Sequence, residues 1–211
     1  MALEEASVAP ALPPAGEYRY ELRRAGELIA VEEETLARER LRGARRTPDG
    51  LNRHEVDARL AEASGLIVAV AVRYRRGPFS RSADYETADD IIRGHLSAVG
   101  GRESVSAKLG RMREVDADLV VCKALIIARA RARGQARWIG RVATIDPATL
   151  IVNSYKQTYR RRDEAGRRWI FEPRMGDADE IEIDDAGRVV RYRARDGVET
   201  VLVSFAPERA R

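Results

Sequence analysis

Three carboxylates at two-residue spacing, Glu114, Asp116 and Asp118, are the first candidates for chemistry in this chain. On an extended strand they share one face, where three oxygens can hold a hard cation. Cation-binding loops of this type also use backbone carbonyls and a glycine turn, and the segment has neither. We therefore favour pairing of these acids with arginines on a neighbouring strand, at about 0.2–1 kcal/mol per pair, and predict no metal site.

Nucleophilic and acid–base catalysis has few candidate residues here. His54 and His95 are the only histidines, and Cys122 is the only cysteine and lies within an apolar run. A catalytic triad assembles in space and stays open on sequence grounds, but no G-x-S-x-G turn is present. The chain also lacks a phosphate-binding glycine motif and a dinucleotide fingerprint. We expect no cofactor, and the balance of these features is against an enzyme.

Arginine and tyrosine alternate in three clusters, at 73–76, 159–162 and 191–193. Tyrosines that stack on bases beside arginines that contact phosphates are typical of nucleic-acid binding. However, 38 basic residues against 34 acidic ones leave a formal net charge of only +4, which predicts a weak electrostatic attraction for nucleic acid. Nucleic-acid binding is therefore the alternative hypothesis and not the first.

Aromatic residues concentrate in the late part of the chain, at predicted adjacent strands. Tyr155, Gln157 and Tyr159 share one strand face and form a row that can contact an amphiphile. On a curved sheet such side chains line a cavity or belong to the core. Arginines at the rim can pair with an anionic head group. The predicted ligand-binding residues are Trp138, Tyr155, Gln157, Tyr159, Trp169, Arg73, Tyr74, Arg76 and Lys123.

The elements that position these residues have mostly a period of two. Alternating runs separated by Asp-Gly and Ala-Gly turns predict ten to twelve antiparallel strands in sequence. The predicted fold is mainly all-β: a single-domain meander forming a strongly curved sheet or incomplete barrel, with at most one or two short helices. Residues 88–95 and 36–46 are the two doubtful helical places. The predicted domain spans 16–206, between a flexible arm at 1–15 and a tail at 207–211.

Residues 114–134 combine alternating acids, an apolar middle and alternating arginines. The apolar part, 119–128, contains Lys123 and is about half the length needed to span a bilayer. We predict one long strand or two linked strands near the centre of the sheet. Lys123 then either reaches the rim or points into the groove, where it would suit an anionic ligand. The acidic start of the chain does not match a secretory signal, so we expect a cytoplasmic protein that is not transmembrane.

Several landmarks resemble a known family, the glycolipid-binding proteins, which share the curved sheet of the bacterial lipoprotein carriers. The resemblance lies in residues 114–119, in Gln157-Thr158-Tyr159 and in residues 183–190, at similar spacing. The family has a Pro/Thr/Asn-rich segment after its acidic motif, where this chain has the apolar 120–127. The resemblance implies one antiparallel sheet around a groove, with a binding and not a catalytic role. The first hypothesis is therefore non-catalytic binding of a lipid-like, glycolipid or other amphiphilic ligand, with a homodimer left open.

Overall fold

The period-two alternation of the chain forms one antiparallel sheet with a single helix against its inner face. The structure is a computed structural model that describes residues 12–109, 113–174 and 177–208. The elements are β1 Gly16–Arg24, β2 Glu27–Ala37, β3 Arg40–Arg46, β4 Asn52–Leu60, β5 Ile67–Arg76, β6 Phe79–Ala88, β7 Ile91–Ala98, β8 Gly101–Lys108, β9 Glu114–Asp116, α1 Val120–Ala132, β10 Arg137–Ile145, β11 Val152–Arg161, β12 Arg168–Arg174, β13 Asp177–Ile183, β14 Val189–Arg193 and β15 Val198–Pro207.

The strand order is a meander that joins two series of hairpins. It runs from β8 back to β1, continues through the pairing of β1 with β15, and then runs back from β14 to β9. Every pairing is antiparallel except that of β9 with β10. The predicted fold class is confirmed: mainly β, with one helix, in a sheet that is not closed into a barrel. The described strands number fifteen, more than the ten to twelve expected.

The prediction that residues 114–134 form one or two strands was wrong. Only Glu114–Asp116 is a strand, and Val120–Ala132 is helix α1. All residues from Val120 to Ala130 are buried, because the helix lies in the concavity of the sheet and has no solvent face over that length. A helix covered on all sides shows no amphipathic period, and its apolar run looks like a buried strand in sequence.

Both doubtful helical segments are extended in the structure. Residues 88–95 contain the end of β6, a turn and the start of β7, and residues 36–46 contain the end of β2 and all of β3. In each, residues on one face are buried and those on the other are exposed, as in Leu41 against Arg40 and Arg42. The two-residue periodicity of burial is therefore that of strands in both segments.

The N-terminus of α1 is capped by side chains of the sheet and not by the residue that precedes it in sequence. The side chain of Leu119, the residue before the helix, makes no capping hydrogen bond. Instead, the N–H of Val120 donates to Glu32 Oε1 at 3.0 Å and to Glu34 Oε1 at 2.8 Å, and the N–H of Val121 donates to Glu34 Oε2 at 3.0 Å. Carboxyl groups satisfy the free N–H groups and interact favourably with the helix dipole, so β2 fixes where the helix begins.

Successive turns lie alternately at two edges of the sheet. One edge, called the mouth rim here, carries the turns at 25–26, 47–51, 77–78, 99–100, 146–151 and 194–197. The opposite edge, the far rim, carries the turns at 38–39, 61–66, 89–90, 162–167 and 184–188. Arg129 near the end of α1 donates to the carbonyl oxygens of Ser64 and Gly65, so the helix runs from the mouth rim towards the far rim.

The described part of the segment before β1 packs against the sheet. Leu12 packs against the core and Pro13 is buried, whereas residues 1–11 of the predicted arm lie outside the described residues. In the predicted tail, Glu208 N–H donates to Ala15, and residues 209–211 lie outside the described residues. Among the described residues, α1 is the one helix, and it is too short to cross a bilayer.

Candidate functional site

A cavity of about 900 Å³ lies between the N-terminal half of α1 and the inner face of the sheet. Its volume is within the range of small-molecule sites in proteins, about 300–1,000 Å³. The turns at 146–151 and 194–197 supply lining residues, so it opens on the mouth rim. It is lined by Leu22, Ile29, Ala30, Arg45, Thr47, Asp116, Asp118, Val120, Lys123, Thr144, Ile145, Asp146, Pro147, Asn153, Tyr155, Gln157, Phe171, Asp179, Tyr192, Ala194, Arg195, Asp196, Val198 and Thr200.

Part of the wall is apolar. Leu22 of β1, Ile29 of β2 and Val198 of β15 come from neighbouring strands at the centre of the sheet, and Phe171 of β12 faces the same space. Leu22 and Val198 point inward because they alternate with charged residues on the outer face, whereas Ile29 lies at the register shift between β1 and β2. These side chains can remove hydrocarbon from water, which contributes about 25 cal/mol per Å² of apolar surface.

Lys123 is the central cation of the polar wall. Its Nζ lies 3.3 Å from Asp116 Oδ2, 5.4 Å from the ring centroid of Tyr192 and 5.8 Å from that of Phe171. Burial is the largest single influence and by itself would lower the pKa of Lys123, but the attractions of Asp116, Tyr192, Asp118 and Tyr159 together outweigh it and raise the pKa well above its usual value. Lys123 therefore points into the cavity as a charged group whose charge Asp116 balances.

Arg45 links the cavity wall to the helix cap. Its guanidinium donates to Glu32 Oε2 at 2.6 Å and to Asp118 Oδ2 at 2.7 Å. Burial opposes ionisation of Glu32 and Asp118, yet Arg45 holds the pKa of both carboxyl groups below the usual value. Burial, the hydrogen bond with Glu32 and repulsion by Glu32 raise the pKa of Glu34 well above its usual value. The pKa values of the two cap glutamates are thus shifted in opposite directions, and Glu34 is the one of the pair that binds a proton more readily.

Two further polar groups face the cavity from β11 and β13. Gln157 Nε2 donates to Thr144 Oγ1 at 3.2 Å, while Gln157 Oε1 is buried and has no hydrogen-bond partner among the described residues. Asp179 accepts from the hydroxyl of Tyr192 and from the N–H of Arg195. A buried acceptor without a partner costs about 1–3 kcal/mol, so Gln157 offers a position for a donor on a ligand.

Acidic side chains outnumber basic ones in the wall of the cavity. Five aspartates line it, namely Asp116, Asp118, Asp146, Asp179 and Asp196, against three bases, Arg45, Lys123 and Arg195. Lys123 and Arg45 are already paired with carboxylates. The wall is therefore rich in hydrogen-bond acceptors and has no excess of positive charge for an anionic head group.

The structure brings three of the nine predicted ligand-binding residues to this cavity, namely Tyr155, Gln157 and Lys123. Tyr159, the third residue of the predicted row, is fully buried one layer behind, stacked on Phe171 with ring centroids 4.7 Å apart. Trp138 packs against Tyr159 in an edge contact at 5.6 Å. Trp169 is buried, and its Nε1 donates to the carbonyl of Gly166 at the far rim.

Arg73, Tyr74 and Arg76 lie away from the cavity, on β5. Arg73 is exposed on the outer face, Arg76 ends the strand at the mouth rim, and Tyr74 points to the inner side with its hydroxyl 3.5 Å from Asn52 Oδ1. The tyrosines of the other two clusters, Tyr159 and Tyr192, also face inward. Arginine and tyrosine therefore lie on opposite faces and do not form one stacking surface for bases.

The three acids at two-residue spacing before α1 are paired with bases. Glu114 pairs with Arg129, Asp116 with Lys123 and Asp118 with Arg45, so two of the partners come from α1 and one from β3. Among the described residues, no three His, Cys, Asp or Glu side chains are grouped so as to hold a metal ion.

The histidines and the cysteine do not line the cavity. His54 is buried on β4, and burial holds its pKa below the usual value. His95 lies at the outer surface with Nδ1 3.4 Å from Ser104 Oγ. Burial raises the pKa of the Cys122 thiol, so Cys122 is a neutral packing residue inside α1.

The predicted site residues did not include Glu32, Glu34 and Arg45, which form the helix cap and part of the cavity wall. In the sequence, residues 32–34 are three consecutive glutamates, a run typical of a solvated face. However, the period of two places Glu32 and Glu34 on the same face as Ala30 and Leu36, both buried. Acids between apolar residues on one strand face indicate buried carboxyl groups that need partners.

Fold and site together define a class of protein: a curved antiparallel sheet that holds one helix and a partly polar cavity on its inner face. Comparison with solved structures supports this architecture. A DUF1089 family protein from Pseudomonas aeruginosa is similar with a TM-score of 0.55 and 21% identity, over 81% of this chain and 91% of that one. A beta-barrel-like protein of the domain of unknown function DUF1849 from Brucella abortus has a TM-score of 0.53 and 10% identity, over 94% of this chain and 100% of that one.

At these identities the similarity shows the fold alone. No family model matches the chain, and no curated protein matches it.

Proposed function

We propose that this protein binds an amphiphilic small molecule, of lipid or glycolipid type, in the cavity between α1 and the sheet. The observation that carries the proposal is the composition of the wall. An apolar part formed by Leu22, Ile29, Phe171 and Val198 borders a part rich in hydrogen-bond acceptors. Such a cavity can take hydrocarbon on one side and a polar head group on the other.

The polar part favours a head group that donates hydrogen bonds. Gln157 Oε1 is buried and has no hydrogen-bond partner in the part of the chain that the structure describes, and Asp118 and Asp179 present further acceptors. Hydroxyl groups satisfy such acceptors without adding a charge to the cavity. Because Lys123 and Arg45 are neutralised by carboxylates, a hydroxyl-rich head group such as a sugar suits the wall better than a phosphate or a carboxylate.

Native mass spectrometry of freshly purified protein, followed by thermal-shift measurements with an alkyl glycoside, an alkyl phosphate and the free sugar, tests the proposal. We expect co-purified amphiphile or a raised melting temperature with the alkyl glycoside, and a smaller effect of the other two. No bound mass, together with no shift across the panel, would contradict it.

A matched pair of variants on β15 locates the site. Val198→Trp places an indole in the cavity wall, whereas Val203→Trp adds the same group at a position on the same strand that is exposed. We expect the thermal shift to be lost in the first variant and kept in the second. Equal shifts in the two variants would place binding outside the cavity.

A further inference from the structure

The mouth rim carries three exposed apolar side chains at neighbouring turns. Leu51 is 57% exposed, Phe79 68% and Val99 88%, the highest values among the large apolar residues that the structure describes. The N–H of Gly77 donates to the carbonyl of Leu51 at 2.8 Å, which joins the first two turns. Ser80, next to Phe79, and Val99 line the same surface basin. Grouped exposed apolar side chains of this kind mark an interaction site.

Beside these turns, the outer face of β4–β6 holds a basic basin of about 530 Å³. Arg53, Arg73, Arg75 and Arg81 line it, and Glu55 is the one acid in its wall. Glu55 pairs with Arg53. Within the described ranges, Arg73, Arg75 and Arg81 have no carboxylate partner. The basin therefore has a surplus of positive charge.

The same edge of the sheet carries the opening of the cavity. The turn at 47–51 connects the two features directly, because Thr47 lies in the cavity wall and Leu51 is exposed outside it. A surface that contacts Leu51 is thus within one turn of the cavity opening.

We propose that the mouth rim docks on an anionic lipid bilayer. Leu51, Phe79 and Val99 enter the boundary between head groups and acyl chains, and the arginines of the basic basin pair with lipid phosphates. The exposed apolar side chains suit the acyl-chain boundary of such a membrane, and the nearby cationic surface suits its anionic head groups. This docking goes beyond ligand binding in the cavity, and it would let an amphiphile pass between bilayer and cavity without crossing water.

A bilayer fits these observations better than a nucleic acid. A single strand of DNA or RNA needs aromatic rings beside the cations. Tyr74 contributes to the wall of the basin, but its ring packs against the core and its hydroxyl lies 3.5 Å from Asn52 Oδ1, so the ring is not free to stack on a base. Phe79 lies at the tip of a turn beyond the strands. Exposed aliphatic tips such as Leu51 and Val99 have no role in contacting phosphates or bases.

Co-sedimentation with two vesicle compositions tests the docking surface. The vesicles are phosphatidylcholine alone and phosphatidylcholine mixed with phosphatidylglycerol. We expect binding to the anionic vesicles that weakens with salt, and much weaker binding to the neutral ones. Arg75→Ala/Arg81→Ala should weaken binding by about fivefold for each arginine removed, because one arginine near such a surface contributes about 1 kcal/mol.

A second variant probes the apolar tips, and two controls probe the far half of the sheet. Leu51→Ser/Phe79→Ser/Val99→Ser should weaken binding to anionic vesicles and leave the melting temperature unchanged, since all three side chains are exposed. The controls, Arg160→Ala/Arg161→Ala and Ile139→Ser, remove exposed arginines and an exposed apolar residue of strands β10 and β11, near the far rim. We expect both controls to bind like the wild type.

The docking proposal would be overturned if the protein bound neither vesicle composition, or if the far-rim controls weakened vesicle binding as much as the mouth-rim variants. It would also be overturned if the protein bound a single-stranded oligonucleotide instead of vesicles and the mouth-rim variants abolished that binding. The thermal shift with an alkyl glycoside in detergent-free buffer separates this proposal from the preceding one. Vesicle binding can fail while that shift persists, and the shift can fail while vesicles still bind.

Discussion

Gly43 on β3 lies directly under Leu119, the residue that leads into α1. A Cβ placed on Gly43 would come within 2.5 Å of Leu119 Cδ1 and 2.7 Å of its Cδ2, and Leu119 is fully buried. The sheet therefore accepts the start of the helix only where one strand has no side chain.

Substitution of Gly43 should consequently destabilise the protein. We expect Gly43→Val to lower the free energy of unfolding by about 1–3 kcal/mol, the usual cost of overpacking a filled core. Urea denaturation followed by circular dichroism measures it. Ala44→Val, at the next residue and on the opposite face, is the control and should change stability by less than about 0.5 kcal/mol. Equal effects of the two substitutions would show that the contact with Leu119 is not tight.

The ion pair between Glu114 of β9 and Arg129 of α1 is almost fully buried. Glu114→Gln should lower the free energy of unfolding by about 3–5 kcal/mol, because it leaves the buried Arg129 guanidinium without the carboxylate that balances its charge. Asp185→Asn removes one partner of the exposed pair with Arg167 and should cost at most about 1 kcal/mol. Chemical denaturation of the two variants compares them. A double variant, Glu114→Leu/Arg129→Met, should recover part of the loss. Equal free energies of unfolding for Glu114→Gln, Asp185→Asn and the double variant would refute this account of the pair.

Glu34 should give the stability of the protein a distinct pH dependence. Its pKa in the folded state is raised, so the folded protein binds the proton more tightly than the unfolded chain, whose value is near 4.5. The stability from this group is complete below that value and is lost as the pH rises through the raised pKa. Relative to Glu34→Gln, the wild type should therefore become less stable as the pH increases above 4.5.

Thermal unfolding at a series of pH values measures this difference. Glu33→Gln changes the exposed neighbour on the other face of β2 and should leave the pH profile parallel to that of the wild type. A Glu34→Gln profile that is also parallel to the wild type would mean that Glu34 titrates alike in the folded and unfolded states.

Ligand binding should depend on hydrocarbon length if the apolar wall takes an acyl chain. Each added CH₂ of an alkyl glycoside that is buried contributes about 0.8 kcal/mol, so affinity should rise about fourfold per carbon until the cavity is full. Isothermal titration below the critical micelle concentration measures the series. Affinity that does not change with chain length would exclude the apolar wall from binding.

Much of the fold was predictable because alternation decides which face of a strand is buried. The hairpins after β10 follow from Asp-Pro, Ala-Gly and Asp-Gly turns between alternating runs. Helix α1 was not predictable in this way. Its arginines at 129, 131 and 133 have a period of two, and its apolar residues face protein on every side, so local pattern gives no 3.6-residue period.

The candidate site was predictable only in part, since its residues meet across distant strands. Tyr155 and Gln157 follow from the face of β11 on which they lie. The proximity of Arg45 to Asp118, 73 residues apart, depends on the seating of α1 in the concavity. Sequence patterns also cannot tell that Trp138 and Tyr159 lie one layer behind the cavity.

The pairing of β1 with β15 has a consequence for how the chain folds. During synthesis each strand from β2 to β8 can pair with the one made just before it, so hairpins form early and locally. The edge of β1 that pairs with β15 nevertheless stays unpaired until β15, the last strand, has been synthesised. Until then the sheet is incomplete, and α1 cannot pack into a complete concavity. We expect refolding to be limited by this late closure, with an exposed edge on β1 that is open to pairing with other chains in the meantime.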